Sequence, residues 1–498
     1  MDPILTAFGL VFSPNCLVAI AVGALAGFVV GVLPGLNASG GVALLLPFTY
    51  GLSPVIGLSL LASLYISAEY GGSVTAIAVN MPGEPGSLAT TFDGYELTRQ
   101  GKPGKALGIS MWSSLFGGII SLVLLLALSL PLANLALTFG PGEFFALGVF
   151  GLTLISALAG KSVAKGFVVA AIGLGINVVG LDVMTGETRF TFGQPELFEG
   201  IQLIPVLIGL FALTEVFVMV EELTEEKLSV ANISSALPTL REIAGIIPAS
   251  MRGALIGTGI GALPGAGKAI SSLIAWNEER RASKTPEKFG KGCYEGVAAP
   301  EAANCAHVAG ALIPTLSLGV PGSGTTAIML GAMTIYGITP GPKLFENNPE
   351  VIYGIFISLV VANVFVLLMG LVGTRLWVAV IGMPAPVMIP LILAISVVGS
   401  YNEGNTMFNV WVMFISAAIG YGLVKFGFPV APIVLAIILG GMIESNLRRG
   451  LLINDGNVGA FLNRPIAILF LLLAVAVAFG PMLLRPLRGK RAKPADAG

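Results

Sequence analysis

Charge is what this chain has least of. Of 498 residues only 11% are Asp, Glu, Lys or Arg, against 55% hydrophobic, and the mean hydropathy is +0.91. A soluble chain of that composition would expose large apolar patches, so the composition excludes a soluble globular protein. No charged residue stands between Asp2 and Glu69, and the runs from Ala106 to Gly142 and from Val351 to Thr374 are equally bare. Each run holds one or more spans of about 20 residues. They are apolar on every face rather than at alternate positions, which argues against a closed β-barrel and predicts an all-α polytopic membrane protein. Cysteine and histidine are scarce too. Cys16, Cys293 and Cys305 show no CxxC spacing, so neither a disulfide framework nor a zinc site is expected and the thiols read as packing residues. His307, the single histidine, builds no metal site alone and also reads as packing. A net charge of −1 gives no reason to expect a nucleic-acid partner; lipid is the expected surrounding. Met-Asp-Pro at the start lacks the basic region of a cleavable signal, so the first apolar segment is expected to stay as a membrane helix. The one strong charge run, Arg485, Arg488, Lys490, Arg491 and Lys493, follows the last apolar segment and by the positive-inside rule puts the C-terminus in the cytoplasm.

Apolar segments fall at about 15–33, 54–79, 105–139, 143–160, 163–181 and 197–220, and again at about 243–263, 294–318, 350–376, 386–400, 407–425 and 429–446, with an additional one at 465–484. Eleven to thirteen spans are expected, arranged as a first repeat (1–230), a second repeat (231–460), an extra C-terminal helix (461–485) and a basic cytoplasmic tail (486–498). The motif Gly31-Val-Leu-Pro-Gly35 returns as Gly261-Ala-Leu-Pro-Gly265, at an offset of 230 residues. Met81-Pro-Gly-Glu-Pro-Gly-Ser87 and Val320-Pro-Gly-Ser-Gly-Thr-Thr326 form a second pair, offset by 239. The stretches behind these breaks, 36–48, 86–92, 266–276 and 322–337, are too short to span and read as re-entrant or half helices. Loop charge tells parallel halves from inverted ones. The loop Glu278–Lys291 is charged while its counterpart Thr49–Pro54 is not, and Arg99–Lys105 and Lys161–Lys165 are basic while their counterparts near Pro342–Phe345 and Tyr401–Gly404 are not. Corresponding loops on opposite faces mean inverted repeats. Arg448 and Arg449 sit one span from the basic tail and so on the outer face, either as partners for Glu444 or as exceptions to the rule.

Proline removes a backbone donor and glycine eases departure from helical geometry, so each Pro-Gly break frees backbone groups, tolerable at membrane depth only beside a polar cavity. A half helix starting there offers N–H groups and the positive end of its dipole to an anion. The candidate substrate contacts are therefore Asn37 and Ser39; Pro82, Gly83 and Ser87, with Thr90 and Thr91 beyond; Lys268; and Pro321, Gly322, Ser323, Gly324, Thr325 and Thr326. Each hydroxyl or amide serves equally as a helix cap. Glu69 and Glu301, offset by 232, read as symmetry mates able to carry a proton or bind a cation, and with Glu84 and Asn304 they form the cation-coupling candidates, structural pairing being the alternative. Asp93 lines the pathway or its mouth. Lys268 attracts an anion or snorkels to the interface. Two near-motifs fail. In Ala262-Leu-Pro-Gly-Ala-Gly-Lys-Ala269 the first position is not Gly and the last not Ser or Thr, so it is no Walker A loop; Glu301-Ala-Ala303 meets His307 where an ATP-driven permease's coupling motif has glycine. No cofactor is expected.

The segments Gly292-Cys-Tyr-Glu-Gly-Val-Ala-Ala-Pro-Glu-Ala-Ala-Asn304 and Leu318-Gly-Val-Pro-Gly-Ser-Gly-Thr-Thr326 resemble the large permease subunit, TctA, of the tripartite tricarboxylate transporters. The resemblance runs over nearly the whole chain, through Phe92-Asp-Gly-Tyr95 and Ser283–Lys291, and departs at Lys268 and Trp276, where glycine and tyrosine are expected. It implies a bacterial inner-membrane secondary transporter driven by an ion gradient (Na+ or H+). Its implied partners are a small TctB-like membrane subunit, a periplasmic TctC-like solute-binding protein and a citrate-like di- or tricarboxylate substrate. A permease for another organic anion and a channel built on the same breaks are the alternatives. Neither a HExxH nor a Gly-x-Ser-x-Gly motif is present, so no enzyme is expected.

Overall fold

The computed structural model describes residues 2–33, 36–158, 162–182, 185–221, 237–381, 385–459 and 464–488, with side chains throughout except at 372–381, 385 and 480–488. Pro34 and Gly35 of the first break, Lys161, the repeat boundary near 230 and the tail from 489 lie outside the described residues, as do the side chains of Arg485 and Arg488. The helices are α1 (Pro3–Val11), α2 (Pro14–Val32), α3 (Ala38–Leu45), α4 (Pro54–Val79), α5 (Thr90–Arg99), α6 (Pro103–Ala136), α7 (Pro141–Leu158), α8 (Val163–Asn177), α9 (Leu203–Leu207), α10 (Thr214–Glu221), α11 (Leu240–Gly261), α12 (Lys268–Ala282), α13 (Tyr294–Leu318), α14 (Gly324–Ile335), α15 (Leu344–Asn347), α16 (Pro349–Ile381), α17 (Ala385–Asn402), α18 (Met407–Lys425), α19 (Ala431–Ile453) and α20 (Pro465–Arg488). A π-helical turn, Ile208–Leu213, joins α9 to α10. The fold is all-α and polytopic. Among the described residues nine helices are long and apolar enough to cross a membrane, and five shorter apolar helices accompany them. A two-stranded antiparallel ribbon, β1 (Gly180–Leu181) with β2 (Thr188–Arg189), follows α8.

Local chemistry sets these boundaries. Proline opens α2, α4 and α6, where its missing N–H would be unpaired anyway. Thr239 and Glu242 close a capping box at the start of α11. The two central helices, α4 and α13, end alike. Asn80 (φ 61°) closes α4 and Gly319 (φ 71°) closes α13, each left-handed, returning its N–H to Thr75 and Pro314 respectively. Only glycine and asparagine take that conformation readily, so both helices stop just before their Pro-Gly.

Lipid is as apolar as leucine, so helices in a bilayer associate through close packing of small residues rather than hydrophobic burial. Two helix pairs here are built the same way. Gly23, Gly27 and Gly31 of α2 press on the carbonyls of Leu60, Leu64 and Ala68 in α4, where an added Cβ would stand 2.3, 2.2 and 2.0 Å away. Gly253, Gly257 and Gly261 of α11 press on those of Ala299, Ala303 and His307 in α13, at 2.2, 2.2 and 2.7 Å. The glycine triplets are 230 residues apart and the carbonyls 239. This register corrects one expectation. It matches Glu69 with Val308 and Glu301 with Ala62, so the two carboxylates are not symmetry mates. Both α4 and α13 are buried along nearly their whole length, whereas the outer helices turn leucines and valines outward, as at Val123, Leu126 and Leu128 of α6.

Contacts at the two ends of the bundle fix helix direction. At one end Lys105 Nζ meets Glu242 at 2.6 Å, Lys425 pairs with Glu221 at 2.5 Å, and the start of α13 packs on α5 through Asp93. At the other the Tyr336 hydroxyl donates to the Thr49 carbonyl at 2.8 Å and Arg464 pairs with Glu143 at 3.1 Å. The problem of Arg448 resolves at that second end. Its guanidinium meets Asp182 at 2.7 Å and Glu444 at 2.8 Å, and Arg189 joins the same carboxylates at 3.5 and 2.7 Å, so Arg448 belongs to a compensated network that ties the ribbon to α19.

Candidate functional site

Two half helices from opposite halves of the chain meet by their N-termini. Asn37 caps α3, its Oδ1 accepting the Gly40 N–H at 2.9 Å, and Ser323 caps α14, its Oγ accepting the Thr326 N–H at 3.2 Å while Thr326 Oγ1 accepts the Ser323 N–H at 2.9 Å. Two residues beyond each cap, Ser39 Oγ and Thr325 Oγ1 lie 2.9 Å apart. The Tyr65 hydroxyl of α4 stands 3.2 Å from Ser323 Oγ. A Cβ on Gly324 would come within 3.4 Å of Ser39 Oγ and 3.7 Å of the Phe211 ring, so glycine leaves room where the π-helical turn faces the two ends. Such turns are frequent at functional sites. Asn37, Ser323 and Thr326 thus act as caps, whereas Ser39 and Thr325 join the two half helices.

Behind these hydroxyls lies a buried charge cluster. Lys268 is the first residue of α12, where the helix dipole disfavours a cation, and its side chain is only 11% exposed. Its Nζ is held by Glu69 Oε1, with Glu84 Oε2 at 3.5 Å, and sits 5.0 Å over the Tyr65 ring. The second oxygen of Glu84 accepts the N–H of Ala38, the first residue of α3. One carboxylate therefore clasps the starts of both half helices that follow the Gly-x-Leu-Pro-Gly copies. Lys268 is neither free to meet an anion nor at the interface: it is taken up by two carboxylates.

Glu301, about two turns into α13, has a different shell. Its Oε1 accepts from Ser73 at 2.8 Å and from Thr90, and its Oε2 from Ser110 at 2.7 Å and Ser114 at 3.4 Å. Asn304 Nδ2 donates to the Glu69 carbonyl at 3.3 Å, and Ser271 Oγ lies 2.9 Å from His307 Nδ1. Three buried polar atoms in this region make no hydrogen bond: Glu69 Oε2, Asn304 Oδ1 and His307 Nε2. Buried polar atoms are rarely left so.

The remaining candidates shape the breaks. Pro82 is exposed, the Gly83 N–H donates to the Gly72 carbonyl at 3.1 Å, and Ser87 Oγ turns back on the Glu84 carbonyl at 2.8 Å. Pro321 and Gly322 are buried, and the Gly322 carbonyl accepts the Gly265 N–H at 3.1 Å, so the second copies of the two motifs touch. Asp93 holds a loop. Its Oδ1 accepts the N–H groups of Gly290, Gly292 and Cys293 at 2.9, 3.0 and 3.0 Å and its Oδ2 the Trp276 indole at 2.9 Å. Tyr65, Ser73, Ser110 and Ser114 escaped the sequence reading; serine and tyrosine in apolar helices give no local sign of which carboxylate they face.

The chain matches the family described as Tripartite tricarboxylate transporter TctA family over residues 17–435. It is 37% identical over 487 residues, 98% of this chain and 97% of the other, to an uncharacterized 52.8 kDa protein in the TAR-I ttuC' 3'region of Agrobacterium vitis. It is 36% identical over 211 residues, 42% of this chain and 87% of the other, to an uncharacterized protein in the TAR-II ttuC' 3'region of the same organism. No solved structure matches. On the family match and the near full-length relative, the chain belongs to the tripartite tricarboxylate transporter TctA family.

Proposed function

We propose that this protein carries a di- or tricarboxylate, citrate-like in charge and size, across the bacterial inner membrane by cation-coupled secondary transport. It acts as the large permease beside a small TctB-like membrane subunit and a periplasmic TctC-like binding protein, with its C-terminus in the cytoplasm. The observation that carries the reading is the meeting of α3 and α14. Two helix N-termini from different halves of the chain converge on one spot, joined by Ser39 and Thr325 at 2.9 Å. Their summed dipoles and hydroxyls suit a carboxylate. Coupling follows from charge. Glu69, Glu84 and Glu301 are buried with one ammonium, Lys268, among them, so an arriving anion meets a net negative site unless a cation accompanies it. Sodium and protons are the two candidates.

The matched pairs α2–α4 and α11–α13 support the inverted repeat at 1–230 and 231–460. In this reading α4 starts from the end where Thr49 meets Tyr336 and α13 from the end where Asp93 holds Cys293. One repeat-derived bundle then moves against the other around the α3–α14 junction.

Counterflow of labelled citrate in proteoliposomes, with the small subunit and binding protein present and with or without imposed sodium and proton gradients, tests this. Saturable counterflow is expected. Flux indifferent to both gradients would remove the coupling, and non-saturable flux would favour a channel.

A further inference from the structure

Lys268 is an unusual occupant for its position, and the position is what a monovalent cation would occupy. The ammonium is nearly buried and opposes the dipole of the helix it begins. It is held between carboxylates from two elements, Glu69 on α4 and Glu84 in the turn after it, with the Tyr65 ring on a further side. The groups around it are oxygens and a π face, the ligands of an alkali cation, and beside them Glu69 Oε2 and Asn304 Oδ1 have no hydrogen-bond partner. A sodium ion between Glu69 and Glu84 would have to displace Nζ, a charge of the same sign and magnitude tethered to the chain and so always present. We infer that Lys268 is a built-in cation occupying a sodium seat between Glu69 and Glu84, and that uptake by this chain therefore does not require sodium. The inference rests on the transport reading above and removes sodium as its coupling ion at that seat.

The experiment separates the two. Full-length protein purified in detergent is unfolded by heat in NaCl or in choline chloride at equal ionic strength, with no substrate present. Wild type is expected to unfold at the same temperature in both salts, within about 1 °C. Lys268→Gln and Lys268→Met open the seat, and NaCl should raise their unfolding temperature by about 5 °C over choline, the order expected when a ligand binds only the folded state. Lys268→Arg keeps the charge and should stay indifferent. Sodium stabilisation of wild type as large as that of the variants overturns the inference, as does indifference of both neutral variants. Should those variants not fold in either salt, wild type still decides, because any specific sodium stabilisation of it contradicts an occupied seat. In proteoliposomes wild-type counterflow should be unchanged when choline replaces sodium, and loss of flux in choline overturns the inference. An absence of counterflow under every ion condition would count against the transport reading and leave the thermal result to judge the lysine.

Discussion

Glu69 and Glu301 are both fully buried carboxylates, and the protein compensates them in two ways. Glu69 is matched by a cation, Lys268, while Glu301 is surrounded by four hydroxyls and, among the described residues, pairs with no cation. An ion pair fixes charge: removing one member strands the other. A hydroxyl cage tolerates either state, since a hydroxyl donates to a carboxylate and can turn to accept from the protonated acid. The first region therefore suits a structural clasp of fixed charge, the second a carboxylate that changes state during a cycle. Sequence offset alone made the two look equivalent.

The largest effect should come from breaking the clasp. Glu69→Ala leaves Lys268 with one carboxylate at 3.5 Å, and a loss of about 3–5 kcal/mol is expected, seen as a strong fall in unfolding temperature with loss of counterflow. Adding Lys268→Met should restore part of it; strictly additive losses would show that the pair does not interact. Next in size, Glu301→Gln keeps an acceptor for the four hydroxyls, so stability should fall by only about 1–2 kcal/mol, while counterflow drops by about 10-fold or more. Equal damage to stability from both carboxylates would erase the comparison. Ser39→Ala removes one hydroxyl from the α3–α14 junction, with an expected cost of about 1 kcal/mol and a raised KM for the carboxylate at little change in the amount of inserted protein.

The smallest effect lies outside the spanning helices. Glu403, in the turn between α17 and α18, has its carboxyl raised by burial from an ordinary 4.5 to about 7, with a hydrogen bond from Tyr50 opposing. A raised acid binds its proton more firmly folded than unfolded, so its stabilising contribution is complete below about pH 4.5 and is lost as pH climbs through about 7. Glu403→Gln should flatten that fall, measured as unfolding temperature between pH 5 and 8; an unchanged slope would show that the group titrates normally.

Much of the fold was legible because a bilayer leaves few choices. The apolar segments at 54–79, 294–318 and 407–425 coincide with α4, α13 and α18, and the Pro82-Gly83 and Pro321-Gly322 breaks fall where α4 and α13 end. The half helix expected at 86–92 begins later, at Thr90, because Pro85–Ser87 forms a tight turn first, and α1 was too short and too near the start to stand out. The 239-residue offset between Pro82 and Pro321 already held the register of α4 against α13, whereas the glycines at 23, 27 and 31 and at 253, 257 and 261 repeat at 230 and register only α2 against α11. What the sequence concealed is long-range. Lys268 finds Glu69 across 199 positions and Thr90 finds Glu301 across 211, and no local pattern records which buried polar groups share a space. The hydroxyls and amide at the breaks were expected as substrate contacts or, equally, as caps; Asn37, Ser323 and Thr326 are caps, and that Ser39 and Thr325 join opposite halves needed the packing.

The proposed transport turns on the junction of α3 and α14, and the most direct test is a reversible clamp across it. In a background lacking Cys16, Cys293 and Cys305, the pair Ser39→Cys and Thr325→Cys would be oxidised in proteoliposomes and labelled citrate counterflow measured before and after reduction. The cross-link should form, unlabelled citrate should slow its formation, and flux should stop when it is closed and return when it is reduced. Undiminished counterflow with the pair fully cross-linked would contradict the proposal.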